Sequence, residues 1–329
     1  MSWRRIVLLF ASILPTTLHS IPMSETSGYL FATFKSESGP DGEQVYFALS
    51  PDGLNWKALN NAEPVLRNPL GDQGLRDPFL IRSHDGEKFF LIGTDLSIHR
   101  NPDWGRAVRQ GSRAVIIWES SDLLHWSEPR RVEVAPESAG CTWAPEAIYD
   151  PEQASYLLFW ASTTADDDFS KHRIWAATTK DFKSFSEPFI YIEEDHAVID
   201  TTIVKQDGRY FRFTKDETNK LIYMESADSI TGNWTRNEDF SLREMHGYEG
   251  PQCFPLHSAD GEPSQWLLIL DNYARHQGYQ PFITSDLASG QFEPLDQLSF
   301  PFRFRHGSVI PLTAAEYQIL GREASPRIP

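Results

Sequence analysis

Short aromatic-rich and alternating apolar runs recur along this chain, bounded by Asp-Gly, Ser-Asp and Pro signals, and they read as β-strands of four types. First strands are expected at 76–82 (RDPFLIR), 143–149 (WAPEAIY), 199–204 (IDTTIV), 249–255 (EGPQCFP) and 306–311 (HGSVIP). Second strands follow at 29–34, 89–94, 156–161, 210–214 and 266–271, and third strands at 45–49, 114–119, 173–178, 221–225 and 281–284. The fourth contain or follow a closing aromatic: Trp56, Trp126, Phe185, Trp234 or Phe292, spaced by 70, 59, 49 and 58 residues. Quasi-periodicity at this length, built from short strands, predicts a β-propeller with one four-stranded blade per repeat. The closing aromatics are then packing between blades.

The N-terminal repeat lacks a first strand, and the C-terminal repeat has little beyond one. Joining them gives an all-β, five-bladed propeller whose ring is closed by the two ends of the chain, which removes open sheet edges. Residues 313–320 read as a short terminal helix, with Thr313 and Glu316 as a capping box. Longer insertions at 98–111 and 163–172 are placed to rim a cleft. No linker interrupts residues 21–329, which are expected to form one catalytic domain.

Composition narrows the function. With 329 residues, 40% hydrophobic and 13% aromatic, the chain has ample material for a large core. Residues 1–20 have the form of a secretory leader, with Arg4 and Arg5, an apolar stretch at 6–14 and Leu18-His19-Ser20 before the cut. That stretch is too short to span a bilayer. The formal net charge is −16, and loss of the leader removes two arginines, so nucleic acid is repelled. A secreted enzyme acting on an uncharged substrate is the expectation. The two cysteines, Cys141 and Cys253, make no disulfide framework and read mainly as small buried hydrophobes. There is no Cys/His metal cluster, no Gly-rich phosphate loop and no basic stripe.

In a propeller the starts of the first strands crowd one mouth of the central channel. Three of them carry an acid: Asp77 in LRDP, Asp200 in IDTT and Glu249 in YEGP. A single Asp-Pro or Glu-Gly-Pro is ordinarily a turn, but recurrence at the same phase of separate repeats argues for a site. Carboxylates crowded together repel, so at least one should have a raised pKa. Glycoside hydrolysis uses such a pair, one acid kept protonated and one ionised. Trp143 and Trp104 are candidates to hold a sugar, and Arg305 to bond a sugar hydroxyl or a catalytic carboxylate. Glu146 is a reserve acid. Trp160 reads as core, and Asp95, Asp216 and Asp271 as turn residues at second-strand ends.

The order Asp-Pro, Trp-Ala-Pro, Ile-Asp, Glu-Gly-Pro and His-Gly-Ser, one per blade, resembles glycoside hydrolase family 43, with the arabinosidase and xylosidase members nearest in the N-terminal part. The resemblance runs from about residue 29 to 320. It implies an inverting hydrolase of α-L-arabinofuranosyl or β-D-xylosyl linkages in plant cell-wall polysaccharide. Asp77 would be general base, Glu249 general acid, and Asp200 the residue that orients Glu249 and tunes its pKa. His306 would lie on the axis and help hold a hydrated calcium ion, with no organic cofactor. The implied partner is an oligosaccharide or polysaccharide, with no nucleic acid, membrane or second subunit. The chain departs from the family pattern at Arg76 before the base, at Thr201 after Asp200 and at Glu146 after Trp-Ala-Pro. These departures bear on specificity rather than on the three roles. Two other readings stay open: a retaining fructosidase, for which the usual Trp-x-Asn-Asp-Pro-Asn motif is missing, and a carbohydrate-binding propeller without catalysis.

Overall fold

Twenty strands form five antiparallel four-stranded sheets in a computed structural model that describes residues 26–257 and 263–322. The expected leader and the Asp260-Gly261 turn lie outside the described residues. In chain order, β1 (Thr26–Thr33), β2 (Tyr46–Ser50) and β3 (Lys57–Ala58) belong to blade I. Blade II holds β4 (Leu75–Arg82), β5 (Phe89–Asp95), β6 (Ala114–Ser120) and β7 (Arg130–Glu133). Blade III holds β8 (Trp143–Asp150), β9 (Ser155–Ser162), β10 (Arg173–Thr179) and β11 (Phe189–Ile192). Blade IV holds β12 (Val198–Gln206), β13 (Arg209–Asp216), β14 (Leu221–Ala227) and β15 (Thr235–Arg236). Blade V holds β16 (Glu249–His257), β17 (Pro263–Asn272), β18 (Gly278–Thr284) and β19 (Glu293–Pro294). The last strand, β20 (Gly307–Thr313), pairs with β1, Val309 opposite Phe31, and supplies the inner strand of blade I. The ring is closed as the strand pattern predicts.

The second strands are mostly apolar because both of their faces are buried. On β9, Tyr156, Leu158 and Trp160 pack toward Phe90 and Ile92 of blade II, while Leu157, Phe159 and Ala161 pack toward Ile199 and Tyr210 of blade IV. Side chains alternate faces along a strand, so one strand serves two interfaces. A hydrophobic cluster of this kind lies between each adjacent pair of blades. Burying each large apolar side chain contributes about 1.5–3 kcal/mol, and this, not a disulfide, holds the ring. Cys141 and Cys253 are both buried free thiols.

The closing aromatics seal these interfaces. Trp126 packs against Phe47 of blade I, and Phe292 against Phe213 of blade IV. Trp56, Trp126 and Trp234 each donate the indole N–H to a carbonyl three or four residues back, at 3.1, 3.0 and 3.2 Å, which pins the turn before the fourth strand.

Two helices join the strands. α1 (Trp104–Arg109) lies in the 98–111 insertion, where Asp103 accepts from Arg106 N at 3.0 Å. α2 (Ala314–Arg322) follows β20 and carries the expected capping box, Thr313 N donating to Glu316 Oε2 at 2.8 Å.

Candidate active site

The inner strands all but that of blade I begin with the same irregularity. Pairing slips at Arg76/Phe79, Trp143/Glu146, Ile199/Thr201 and Glu249/Gln252. At each slip one residue has left-handed backbone: Asp77 (φ 49), Ala144 (φ 46), Asp200 (φ 50) and Gly250 (φ 54). A bulge of this kind re-aims side chains beside a channel, and non-glycine residues held with positive φ mark functional sites. The slips also correct the expectation of one common phase. Asp77 and Asp200 occupy equivalent positions, whereas Glu249 stands one residue earlier, level with Arg76, Trp143 and Ile199. Gly250 fills the left-handed position because a Cβ there would lie 2.7 Å from His306 Cγ.

The bulges surround a cavity of about 490 Å³ lined by Asp77, Asp200, Glu249 and His306, with Trp143, Trp104 and Arg305 around them. A second well, about 440 Å³, opens where the inner strands end, but Phe79, Ile81, Ile148, Ile203 and Phe254 make much of its wall apolar. The polar mouth is the one with chemistry.

His306 sits between two of the carboxylates. Its Nδ1 is 3.4 Å from Asp77 Oδ1 and 3.8 Å from Asp200 Oδ1. Burial alone would drive the imidazole neutral, but Asp200, Asp77 and Glu146 outweigh it and raise the pKa to about 9. Burial acts on Asp77 in the opposite sense, yet the hydrogen bond and charge of His306, Arg76 and Thr94 hold its carboxyl below the usual range. Thr94 Oγ1 donates to Asp77 Oδ2 at 2.9 Å and accepts from Ala144 N at 2.9 Å, tying blade II to blade III. Asp200 is pushed up to about 6, first by burial and then by Glu249 and Asp77, against His306 and Lys215. One acid with a raised pKa is what crowding predicts. Asp200 Oδ2 accepts from Gly250 N at 3.0 Å, so it grips the backbone beside Glu249.

Glu249 is clamped. Lys215 Nζ donates to its Oε2 at 3.0 Å, and Arg305 Nη2 to its Oε1 at 3.0 Å. Each cation has an anchor behind it: Lys215 lies 2.7 Å from Glu217 Oε2, and Arg305 Nε donates to Asp271 Oδ2 at 2.6 Å. Of the two partners left open for Arg305, a sugar hydroxyl or a carboxylate, the structure shows the second.

Trp143 and Trp104 meet edge to face at 6.0 Å on the cavity wall, and His172 lies against Trp143 at 4.9 Å. Trp104 is 47% exposed, at the rim. Arg76 fixes it from below: the guanidinium lies 5.4 Å from the Trp104 ring and 4.7 Å from Phe34, and bonds Glu37 and Glu43. Glu43 in turn accepts from Ser97 Oγ, Ile98 N and His99 N, holding the start of the insertion. Glu146 is buried and does not line the cavity. Burial raises its carboxyl to about 8.

Calcium takes about 6–8 oxygen ligands, and no group of three or more His, Cys, Asp or Glu among the described residues is spaced to hold a metal. A calcium ion at the axis would therefore be held largely by water, with His306, Asp77 and Asp200 beside it.

Comparison with known proteins agrees with this geometry. The model of the glycoside hydrolase 43-related family, described as a probable glycosyl hydrolase domain, matches residues 24–318. The chain belongs to this family. An α-L-arabinofuranosidase of Bifidobacterium longum subsp. longum is 31% identical over 302 residues, covering 79% of this chain and 28% of the relative. The chain thus spans under a third of that relative's length. The fold is similar to the crystal structure of a thermostable family-43 glycoside hydrolase, with TM-score 0.50, 16% identity and coverage of 71% of this chain and 76% of that one. It is also similar to the catalytic domain of the Coprinopsis cinerea GH62 α-L-arabinofuranosidase, with TM-score 0.51, 11% identity and coverage of 74% and 75%.

This domain of the glycoside hydrolase 43-related family holds site residues that the motifs do not announce. Lys215, Glu217, Tyr273, His172 and Glu37 all line the cavity. Asp271, expected at a turn, is instead the buried anchor of Arg305. Strand pairing carries the missing signal, because second strands end where first strands begin. Ile199 pairs with Lys215, and Glu249 with Asp271.

Proposed function

We propose that the chain is an inverting glycosidase, acting outside the cell, that releases α-L-arabinofuranosyl or β-D-xylosyl residues from plant cell-wall polysaccharide. The observation that carries this reading is the convergence of Asp77, Asp200 and Glu249 on one cavity. Asp77, kept ionised by His306 and Arg76, takes a proton from the attacking water as its oxygen bonds the anomeric carbon. The glycosidic C–O bond breaks, its electron pair goes to the leaving oxygen, and Glu249 supplies the proton there. Asp200 fixes the Gly250 backbone and so the direction of Glu249. Trp143 and Trp104 offer apolar faces to the sugar rings, and His306 balances the charge of the two aspartates. The name of the Bifidobacterium relative favours arabinofuranose. The leader at residues 1–20 supports secretion, and the binding partner is a saccharide taken by a single subunit.

The test is hydrolysis of the 4-nitrophenyl glycosides of α-L-arabinofuranose and β-D-xylose, with arabinan and arabinoxylan alongside. Asp77→Ala should cut turnover of every substrate, and Glu249→Ala turnover of the polysaccharides, by roughly a hundredfold or more with the fold intact. Near-normal activity of Asp77→Ala on any substrate, or of Glu249→Ala on the polysaccharides, would remove that residue from its role. Product of retained configuration would turn the reading to a fructosidase-type mechanism, and binding without hydrolysis to a carbohydrate-binding propeller.

A further inference from the structure

The clamp on Glu249 is asymmetric. Arg305 is locked, since its planar fork is spent on Glu249 and on Asp271, which is 0% exposed. Lys215 is a compact ammonium on a flexible stem, 2% exposed, with two carboxylates in reach: Glu249 at 3.0 Å and Glu217 at 2.7 Å. The ring of Tyr273, 4.5 Å from Nζ, forms the third side of its cage. Glu217 is itself held from outside by Lys220. A buried ammonium between two acids, one in the reaction centre and one at its edge, has somewhere to go when Glu249 must change partners.

We propose that Lys215 is a positioning residue for Glu249, holding Oε2 in the empty site and moving onto Glu217 when a glycoside is seated. The inference rests on Glu249 being the general acid. A protonated carboxyl oxygen accepts a hydrogen bond from an ammonium far less well than an ionised one, so the bond from Lys215 competes with a proton on Oε2. Withdrawal to Glu217 frees Oε2 to carry that proton. When Glu249 gives it up and the C–O bond breaks, negative charge develops on Glu249 beside the waiting ammonium. Stabilisation that grows toward the transition state raises turnover rather than substrate affinity. Arg305 cannot perform this exchange without abandoning Asp271. The ammonium form is secure throughout, because the surrounding carboxylates outweigh burial and raise its pKa.

Dependence on the leaving group separates this role from a structural one. A 4-nitrophenolate departs with little need of a proton, whereas a sugar or alkyl alcohol needs one. Lys215→Met should lower kcat on an alkyl or disaccharide glycoside by roughly tenfold or more, and on the 4-nitrophenyl glycoside by less than about threefold, with KM little changed. Glu217→Gln, at a partly exposed side chain, should show the same discrimination by removing the place of retreat, and it carries the test if Lys215→Met does not fold. Glu249→Ala is the reference and should discriminate most strongly. If it slows both leaving groups equally, the general-acid reading fails and Lys215 falls with it. If Glu249→Ala discriminates while neither Lys215→Met nor Glu217→Gln does, only the role of Lys215 is overturned.

Discussion

Asp200 on blade IV and Gly250 on blade V are joined by a 3.0 Å hydrogen bond from the Gly250 amide to Asp200 Oδ2. The carboxylate on one bulge therefore sets the backbone of the next, and Glu249 rides on that backbone. Asp200 reaches Glu249 through the main chain as well as through space, where the charge of Glu249 helps raise the Asp200 carboxyl.

Replacing Asp200 should expose both routes. Asp200→Ala orphans the Gly250 amide and removes a negative charge facing His306 and Lys215. Turnover should fall by roughly 10²- to 10⁴-fold, with KM changed far less. Asp200→Asn keeps an acceptor for the amide and should retain more of the thermal stability while losing most of the turnover. Steady-state kinetics beside calorimetry would check this; equal activity in the two variants would leave the main-chain route without a role.

Trp104 projects from a six-residue helix over Trp143, and its exposure is an apolar cost unless a ligand covers it. Trp104→Ala should raise KM for oligosaccharide by roughly three- to tenfold, in line with about 0.5–1.5 kcal/mol for an aromatic contact. Turnover of a small aryl glycoside should hold. An unchanged oligosaccharide KM would place the sugar elsewhere.

Asp271 is the counter-charge that lets Arg305 remain buried beside Glu249. Burial pushes its carboxyl up to about 6 even against Arg305, which still leaves it ionised at neutral pH. Asp271→Ala strands a buried guanidinium and should cost about 3–5 kcal/mol of stability, besides loosening the grip on Glu249. The double variant Asp271→Leu with Arg305→Met should recover much of that stability but not the turnover. Additive losses of stability in the double variant would refute the coupling.

The ring, the blade count and the mouth that carries the acids were legible because they rest on repetition. Strand types and closing aromatics recur five times, and chance does not place Asp77, Asp200 and Glu249 repeatedly at inner-strand starts. The one-residue offset of Glu249 was not legible, since a bulge leaves the apolar pattern of the strand intact. Lys215 and Asp271 were hidden for a related reason. Each lies near the end of a second strand and reads as a strand-end polar residue, and only cross-strand register brings it to the acids. His306 was expected at the axis, but its approach to Asp77 and Asp200, both within 4 Å, follows from the bulges that carry them rather than from its own motif.

The buried acid Glu146 gives the fold a dependence on pH that can be read separately from catalysis. Burial raises its folded-state value from 4.5 to about 8, with Asp200 adding to the rise and His306 and Thr202 opposing it. The neighbouring carboxylates raise His306 from 6.5 to about 9 despite its burial. Both folded values lie above the unfolded ones. Each contribution is therefore complete below the unfolded value and is lost as pH rises through the folded one. Thermal stability should accordingly decline from about pH 4.5 upward, through 8 for Glu146 and on to about 9 for His306. Glu146→Gln carries no proton to lose and keeps the neutral, buried shape. Its melting temperature should resemble the wild type near pH 5 and exceed it by roughly 2 °C or more at pH 8.5, where one kcal/mol corresponds to about 2–4 °C. The slope remaining above about pH 6, beyond the range of Asp200 and Asp271, would then belong to His306. Melting curves of the two proteins that stay parallel from pH 5 to 9 would show that Glu146 is already ionised in the folded state.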